Sequence, residues 1–387
     1  MSLADVLGTL CPTCSTHVDD CDMCLECQDG CRIPCHAFVL RARCPSLAVA
    51  SVVQVSELSE VVYALLQWVY LEQLDVTQGG VATQEWRHRV WRLGQLWGLR
   101  DSDALQCRLA GSRRVGRQGG TVAQDVLRGY AAGDFAGGVV FCAAPEKGTS
   151  TTAAPPAWAA LLRHRSTYFS AMLSGSWSEN ASGLREAPIK VCWPPAEFQC
   201  LMRYLHGAPL EVQHDSLRAI VDLGSFFGVS SLLVEVASWI ASHLEPQTAS
   251  ALWHFLDTEP ALQALEGCDD LTYEVDPDTA CFEYHVENFV ALALPERASD
   301  SEKGVAPPPP LFNLSIPLMH RLLSCGRISM STQPLLDLVA NFVRSQCDDP
   351  VECVAHLEKM RPPAVLFNRR MRSVLVGSAL ATIESVW

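Results

Sequence analysis

The side chains in this chain that are best suited to chemistry are seven cysteines close to its N-terminus. Two pairs among them, Cys11-x-x-Cys14 and Cys21-x-x-Cys24, have the spacing of half a zinc knuckle. The gap between the pairs is shorter than in two separate knuckles, and reduced cysteine also packs as a small hydrophobe. We therefore predict no metal and no cofactor. A zinc site on Cys11, Cys14, Cys21 and Cys24 is the alternative.

Enzymatic chemistry finds little support elsewhere in the sequence. The chain carries no phosphate-binding Gly-x-x-x-x-Gly-Lys-Ser/Thr loop, no dinucleotide-binding glycine signature, no His-Glu-x-x-His and no Gly-x-Ser-x-Gly. Cys35 and His36 are adjacent at a predicted strand end, where neighbouring side chains point to opposite faces. We predict that the protein is not an enzyme.

Composition indicates a folded, acidic protein. The 387 residues are 49% hydrophobic and 19% charged, and the net charge is −14. An acidic surface repels phosphate, so nucleic acid and membrane surfaces are not expected partners. No apolar run is long enough for a transmembrane helix, and the first ten residues lack a basic signal region. These features predict a cytoplasmic or nuclear location with mostly reduced thiols.

An internal repeat organises the first 245 residues. Three segments recur in the same order: 37–44 as 159–166, 53–55 as 189–191, and 93–99 as 223–229. Each copy predicts strands, a helix, a further strand and an amphipathic helix pair. In the helix 61–70, apolar residues at i, i+3, i+4 and i+7 define one buried face. Gly98 and Gly228 are predicted helix ends with positive φ.

The first copy resembles the BTB/POZ family. Asp22-Met23-Cys24-Leu25 is similar to the family's opening strand, and the segment 33–40 is similar to its Ile-Pro-Ala-His-Lys-x-x-Leu signature. The resemblance implies that Asp22 and His36 fix the strand to the helix, and that Leu40 lies on the helix's buried stripe. This copy lacks the family's next helical segment and loop, so we expect a truncated domain.

The second copy resembles the same family through Arg165-Ser166-Thr167-Tyr168-Phe169 and the residues that follow to Gly175. Ser166, Tyr168 and Phe169 are its signature residues. It departs from the pattern at Trp158, which stands in the histidine position, and at Gly137-Gly138, which replace the aspartate. The fixing pair is therefore lost in this copy.

A docking element follows the second copy's signature. Trp177-Ser178-Glu179 is similar to the hydrophobic-x-Glu element with which many BTB adaptors dock onto cullin-3. The resemblance implies Met172, Trp177 and Glu179 as cullin-docking residues. An ordinary polar loop with a half-buried tryptophan is the alternative.

The sequence of the C-terminal third predicts helices. Apolar residues at helical spacing in 316–324 and 335–343, separated by a short link, resemble the BACK region of Kelch-like adaptors. The predicted fold class is thus α+β, with two BTB/POZ-type domains and an all-α BACK-like region. The predicted boundaries are 1–18 (N-terminal segment), 19–110 (BTB-like domain 1), 111–125 (linker), 126–245 (BTB domain 2) and 246–387 (helical region).

These features predict a protein–protein interaction adaptor that brings an unknown protein substrate to a cullin-3 ubiquitin ligase. The alternative is a BTB-mediated scaffold that binds no cullin. Homo-oligomers are one expected form of BTB pairing, and pairing of the two copies within one chain is another.

Overall fold

The computed structural model describes residues 3–12, 21–48, 50–74, 83–110, 121–133, 139–143, 155–174, 189–191, 193–267, 276–294, 308–328 and 330–346. The chain divides into two compact units, Met1–Leu232 and Leu233–Trp387. The architecture is mixed α and β, mostly helical with small sheets. Both predicted BTB copies fall mainly within the first unit.

The first copy is built on a three-stranded sheet. Helix α1 (Leu3–Leu10) precedes strands β1 (Met23–Cys27) and β2 (Arg32–Cys35), and β3 is Val52–Val55. Strand β1 lies in the centre, antiparallel to β2 and parallel to β3. The alternation of buried and partly exposed residues along β1 places one face of this strand in the core.

Four helices complete this copy: α2 (Ala37–Arg43), α3 (Ser59–Leu71), α4 (Gln84–Leu96) and α5 (Ser102–Leu109). The predicted stripe Val62, Leu65, Leu66 and Val69 is fully buried in α3. Gly98 follows the C-cap of α4, and its φ of 68° is the left-handed conformation predicted from the sequence.

The second copy repeats this arrangement. It contains α6 (Val122–Ala132), β4 (Phe141–Ala143), α7 (Ala159–Arg165), α8 (Thr167–Ser174), β5 (Ile189–Val191), α9 (Pro195–Leu205), α10 (Leu217–Phe226) and α11 (Ser230–Ser242), with a 3₁₀ turn at His214–Ser216. Strand β4 is parallel to β5, with Phe141 opposite Ile189, just as Leu25 is opposite Val53 in the first copy. Gly228 has a φ of 60°, which confirms the second predicted helix end.

Helix α6 begins inside the stretch that the sequence analysis assigned to the linker. Thr121 caps this helix, accepting the backbone N–H of Gln124 while the Gln124 side chain accepts the N–H of Thr121. A capping box of this kind marks a helix start, so the predicted linker boundary at residue 125 falls inside α6.

The second unit is helical in its described part. Its elements are α12 (Ala249–Thr258), α13 (Pro260–Gln263), α14 (Pro277–Glu287), α15 (Phe289–Ala293), α16 (Ile316–Ser324) and α17 (Thr332–Gln346), with 3₁₀ turns at Ala264–Gly267 and Pro310–Asn313. The two helices predicted at 316–324 and 335–343 are confirmed. Across all the residues described here, no helix is long and apolar enough to cross a membrane.

Candidate protein interaction site

An aromatic cluster forms the centre of the second copy. The rings of Phe141, Phe169, Phe198 and Phe227 are buried, with centroids 5.3–5.7 Å apart for the pairs in contact. These residues come from a strand and three helices, so the cluster joins β4, α8, α9 and the end of α10. Aromatic pairs at these distances stabilise a core beyond their area alone.

The cluster continues outward to an aromatic face at the protein surface. Tyr168 is 37% exposed and Phe226 is 54% exposed, and their ring centroids lie 5.5 Å apart. Trp193 contacts the Phe226 ring at 5.2 Å. Exposed aromatic side chains that rest on a rigid core are typical of surfaces that bind other proteins. We call Tyr168, Trp193 and Phe226 the aromatic face.

The signature residues of the second copy hold this face in place. Ser166 Oγ donates a hydrogen bond to the Phe227 carbonyl at 2.6 Å and accepts the Phe169 backbone N–H at 3.0 Å. It therefore caps α8 and ties it to the end of α10. Phe169 lies in the buried cluster, and Tyr168 lies on the exposed side.

In the first copy, the signature residues connect the first strand to the following helix or lie in the core. Asp22 Oδ1 accepts the backbone N–H of Ala37 at 2.7 Å, which connects the start of β1 to the first turn of α2. Leu40 is fully buried. The His36 Nδ1 atom lies 3.0 Å from Tyr70 Oη, which also accepts the His36 backbone N–H. The aspartate thus acts through the helix backbone.

The two copies meet at the equivalent positions His36 and Trp158. The two rings contact edge to face with centroids 5.2 Å apart, and Phe38 contacts the same tryptophan at 4.7 Å. Helix α1 contacts α7 of the second copy, and α6 contacts α2 of the first. The first helix of each copy therefore contacts the other copy. In a two-fold symmetric interface, equivalent elements contact each other in this reciprocal way.

A buried histidine lies on the second copy's side of this contact. His206 Nε2 accepts the backbone N–H of Trp158 at 3.4 Å, its Nδ1–H donates to the Met202 carbonyl at 2.6 Å, and Tyr130 of α6 stacks on the ring at 4.1 Å. Burial lowers the pKa of His206 to about 4, with a smaller contribution from the nearby Arg165 charge. The ring is neutral at pH 7.

A buried arginine fixes α6 against the first copy. Arg43 is fully buried and donates hydrogen bonds to Asp101 and Asp125, each at 2.9 Å. Glu72 lies 3.5 Å from the same guanidinium and accepts the backbone N–H of Val122, the first residue of α6. Burial raises the pKa of Asp101. The sequence analysis missed this group, because nothing local to Arg43 indicates carboxylates so distant in sequence.

The proposed cullin-docking residues fall in two places. Met172 is only 6% exposed, so its side chain belongs to the core of the second copy. Trp177 and Glu179 lie outside the described residues, in the stretch 175–188 that follows α8. They remain a prediction, and they start three residues after the helix that carries Tyr168.

Among the described N-terminal cysteines, Cys11, Cys27 and Cys35 are buried, and Cys21, Cys24 and Cys31 are half-buried. Cys27 and Cys35 are buried on the sheet, and burial raises the pKa of the Cys27 thiol to about 11 and that of Cys35 further. Such thiols stay protonated at pH 7 and are poor metal ligands. Cys14 lies outside the described residues. Within the part that is described, no three His, Cys, Asp or Glu side chains are placed to hold a metal ion.

Comparison with known families adds one finding. Residues 154–244 match the family model for the BTB/POZ domain, a segment that runs from just before α7 to the end of α11. No curated protein matches the chain. BTB domains are typically non-enzymatic modules that mediate protein–protein interaction and oligomerisation. The chain therefore contains a BTB/POZ domain at residues 154–244, which supports a role as a protein-interaction adaptor or scaffold.

Proposed function

We propose that this protein is an adaptor that recruits a protein substrate to a cullin-3 ubiquitin ligase, docking through its matched BTB domain. The observation that carries the proposal is the aromatic face on that domain, where Tyr168 and Phe226 are exposed on a rigid aromatic core. Helix α8 leads from Tyr168 towards Trp177-Ser178-Glu179, the predicted docking element. Catalysis would belong to the recruited ligase, and this chain would supply proximity.

The second part of the proposal is that residues 19–110 form a truncated BTB-type domain that pairs with the matched one inside the chain. The matching strand registers and the contact between the equivalent residues His36 and Trp158 support it. The reciprocal contacts of α1 with α7 and of α6 with α2 also support it. Such pairing would occupy surfaces that a second chain could otherwise use.

The third part concerns residues 246–387, which we propose as a BACK-like helical region. The helices Ile316–Ser324 and Thr332–Gln346 support this assignment.

A scaffold that never binds a cullin is the competing function. It is favoured by the same internal contacts, because a chain that pairs its own two copies can assemble partners around them without a ligase. The two functions differ in one measurable property, which is affinity for cullin-3.

The test is binding of the full chain to the N-terminal domain of cullin-3, measured by calorimetry. We expect Trp177→Ala, Glu179→Lys and Phe226→Ala each to weaken binding at least about tenfold. Leu96→Ala is the matched control, since Leu96 is 66% exposed at the position in the first copy that corresponds to Phe226. If folded wild-type protein does not bind, the adaptor function is wrong and the scaffold takes its place.

Light scattering tests the internal pairing separately. Pairing within the chain predicts a monomer of 42.3 kDa at micromolar concentration. A stable dimer of the wild-type chain would contradict it.

A further inference from the structure

The first copy contains a cleft that the proposed adaptor function does not use. It has a volume of about 940 Å³ and lies along α4 and α5, lined by Gln84, Glu85, Arg87, His88, Trp91, Gln106, Leu109 and Ala110. This cleft is well separated in sequence from the aromatic face, which belongs to the second copy. Its walls contain side chains of mixed polar and aromatic character.

The two helices that carry the cleft have a net positive charge, although Glu85 and Arg87 balance each other in its lining. Helices α4 and α5 carry four arginines against two carboxylates, whereas the full chain has a net charge of −14. Arg89 is already paired with Glu57 at 2.6 Å. In the part of the chain that the structure describes, Arg87, Arg92 and Arg108 have no ion-pair partner.

Within the described part of the chain, two donor atoms of the residues that line the cleft are unpaired. Trp91 Nε1 and Arg87 Nε are buried atoms, and neither has a partner among the described residues. Both atoms are donors only, and a buried donor without an acceptor is unfavourable. Carbonyl and carboxylate oxygens are the groups that would satisfy them.

In the second copy, the helix face that corresponds to the cleft side of α4 is buried within the domain. Counting from the equivalent glycines Gly94 and Gly224, Arg87 corresponds to Leu217 and Trp91 to Val221. Leu217 and Val221 are both buried. The neighbouring Arg218 is neutralised on its own helix by Asp222, at 3.4 Å. The second copy therefore buries this face, and the first copy leaves it open with cationic and aromatic residues.

We propose that this cleft binds an acidic, extended segment of a partner protein. One of its carboxylates would pair with Arg87, and an apolar side chain would pack on the partly exposed Trp91 ring, whose centroid lies 5.7 Å from that of the His88 ring. Oxygens of the segment would supply the acceptors that Trp91 and Arg87 lack. Charged and aromatic groups of this kind are enriched where protein interfaces concentrate their affinity.

If the proposed adaptor function is right, this partner is the recruited substrate. The cleft could bind the partner even without that function, because the cleft and the cullin-docking residues are on different copies. Their failures can therefore be told apart by measuring both interactions on the same variants.

The experiment uses the full chain and two pools of fluorescent dodecapeptides. One pool is rich in Asp and Glu with interspersed Leu and Phe, and the other has Lys and Arg in place of the acids. Fluorescence anisotropy should show binding of the acidic pool, weakened by added salt. Arg87→Glu and Trp91→Ala should each weaken it at least about tenfold.

Arg218→Glu is the matched control, since it makes the same charge change on the corresponding helix of the second copy. It should leave peptide binding unchanged, and Arg87→Glu should leave cullin-3 binding unchanged. Trp91→Phe, which keeps an aromatic ring, serves if Trp91→Ala does not fold. Absence of acidic-pool binding, equal binding of both pools, or equal loss in Arg218→Glu would each overturn the proposal.

Discussion

The two copies neutralise an equivalent buried arginine in different ways. Arg43 ends α2 and meets the carboxylates of Asp101 and Asp125. Arg165 ends α7 and donates instead to the backbone carbonyls of Tyr204 and Leu205 at 2.7 and 2.8 Å, with its guanidinium 4.7 Å from the Tyr204 ring centroid. The arginine at this position thus meets two buried carboxylates in the first copy and donates to two backbone carbonyls in the second.

This difference affects how the copies are joined. Asp125 belongs to α6, which leads into the second copy, so the Arg43 group links the two copies directly. The hydrogen bonds of Arg165 to the Tyr204 and Leu205 carbonyls lie within the second copy. A repeat can therefore keep its core geometry while one copy uses a buried charge to hold the other.

The largest expected effect comes from removing that charge. Arg43→Met leaves Asp101 buried without its guanidinium partner and leaves Asp125 with Arg128 at 2.7 Å and Arg100 at 3.9 Å, which should destabilise the protein by about 3–5 kcal/mol. Arg165→Met removes the donor to the backbone carbonyls of Tyr204 and Leu205, and we expect roughly 1–3 kcal/mol. Urea unfolding of both variants measures the difference. If both variants lost the same free energy of unfolding, the carboxylates around Arg43 would add nothing to its contribution to stability.

Acid should destabilise the second copy through His206. Its pKa is about 4 in the folded protein and near 6.5 when unfolded, so the unfolded state binds more protons as the pH falls through this interval. The stabilisation is complete above pH 6.5 and is lost towards pH 4, at roughly 3 kcal/mol. The corresponding residue of the first copy, Tyr70, has a pKa raised by burial and does not titrate there.

His206→Gln should flatten this acid dependence, since glutamine carries no proton to take up. His285 of the second unit has a pKa lowered by burial to about 4 as well, so part of the slope should persist. Melting temperatures measured between pH 4 and pH 7 test this. A slope unchanged by His206→Gln would mean that this ring is not buried and neutral.

The smallest effect should be shared by the two copies. Gly98 and Gly228 both have positive φ, and an added Cβ would meet the side chains of Ser46 and Thr167 respectively. We expect Gly98→Ala and Gly228→Ala each to destabilise by about 1–2 kcal/mol. Thermal unfolding measures the stability of both variants. A large loss of stability in only one of them would show that the two turns are not equivalent.

The sequence by itself determined the local features of this protein. The repeat, the buried stripe of α3 and the positive φ of Gly98 and Gly228 depend on residue period and on backbone sterics, which act within a few residues. The BTB character of the second copy was also visible in its signature segment, within the matched range 154–244.

Only the tertiary structure decided which distant side chains meet. Arg43 and Asp125 are 82 residues apart, and neither residue's neighbours in sequence indicate the pairing. The contact of His36 with Trp158 depends on how the two copies pack, and the burial of Met172 depends on the core that forms around α8. Such contacts follow from the assembly of whole elements, because the chain must bring them together before their side chains can interact.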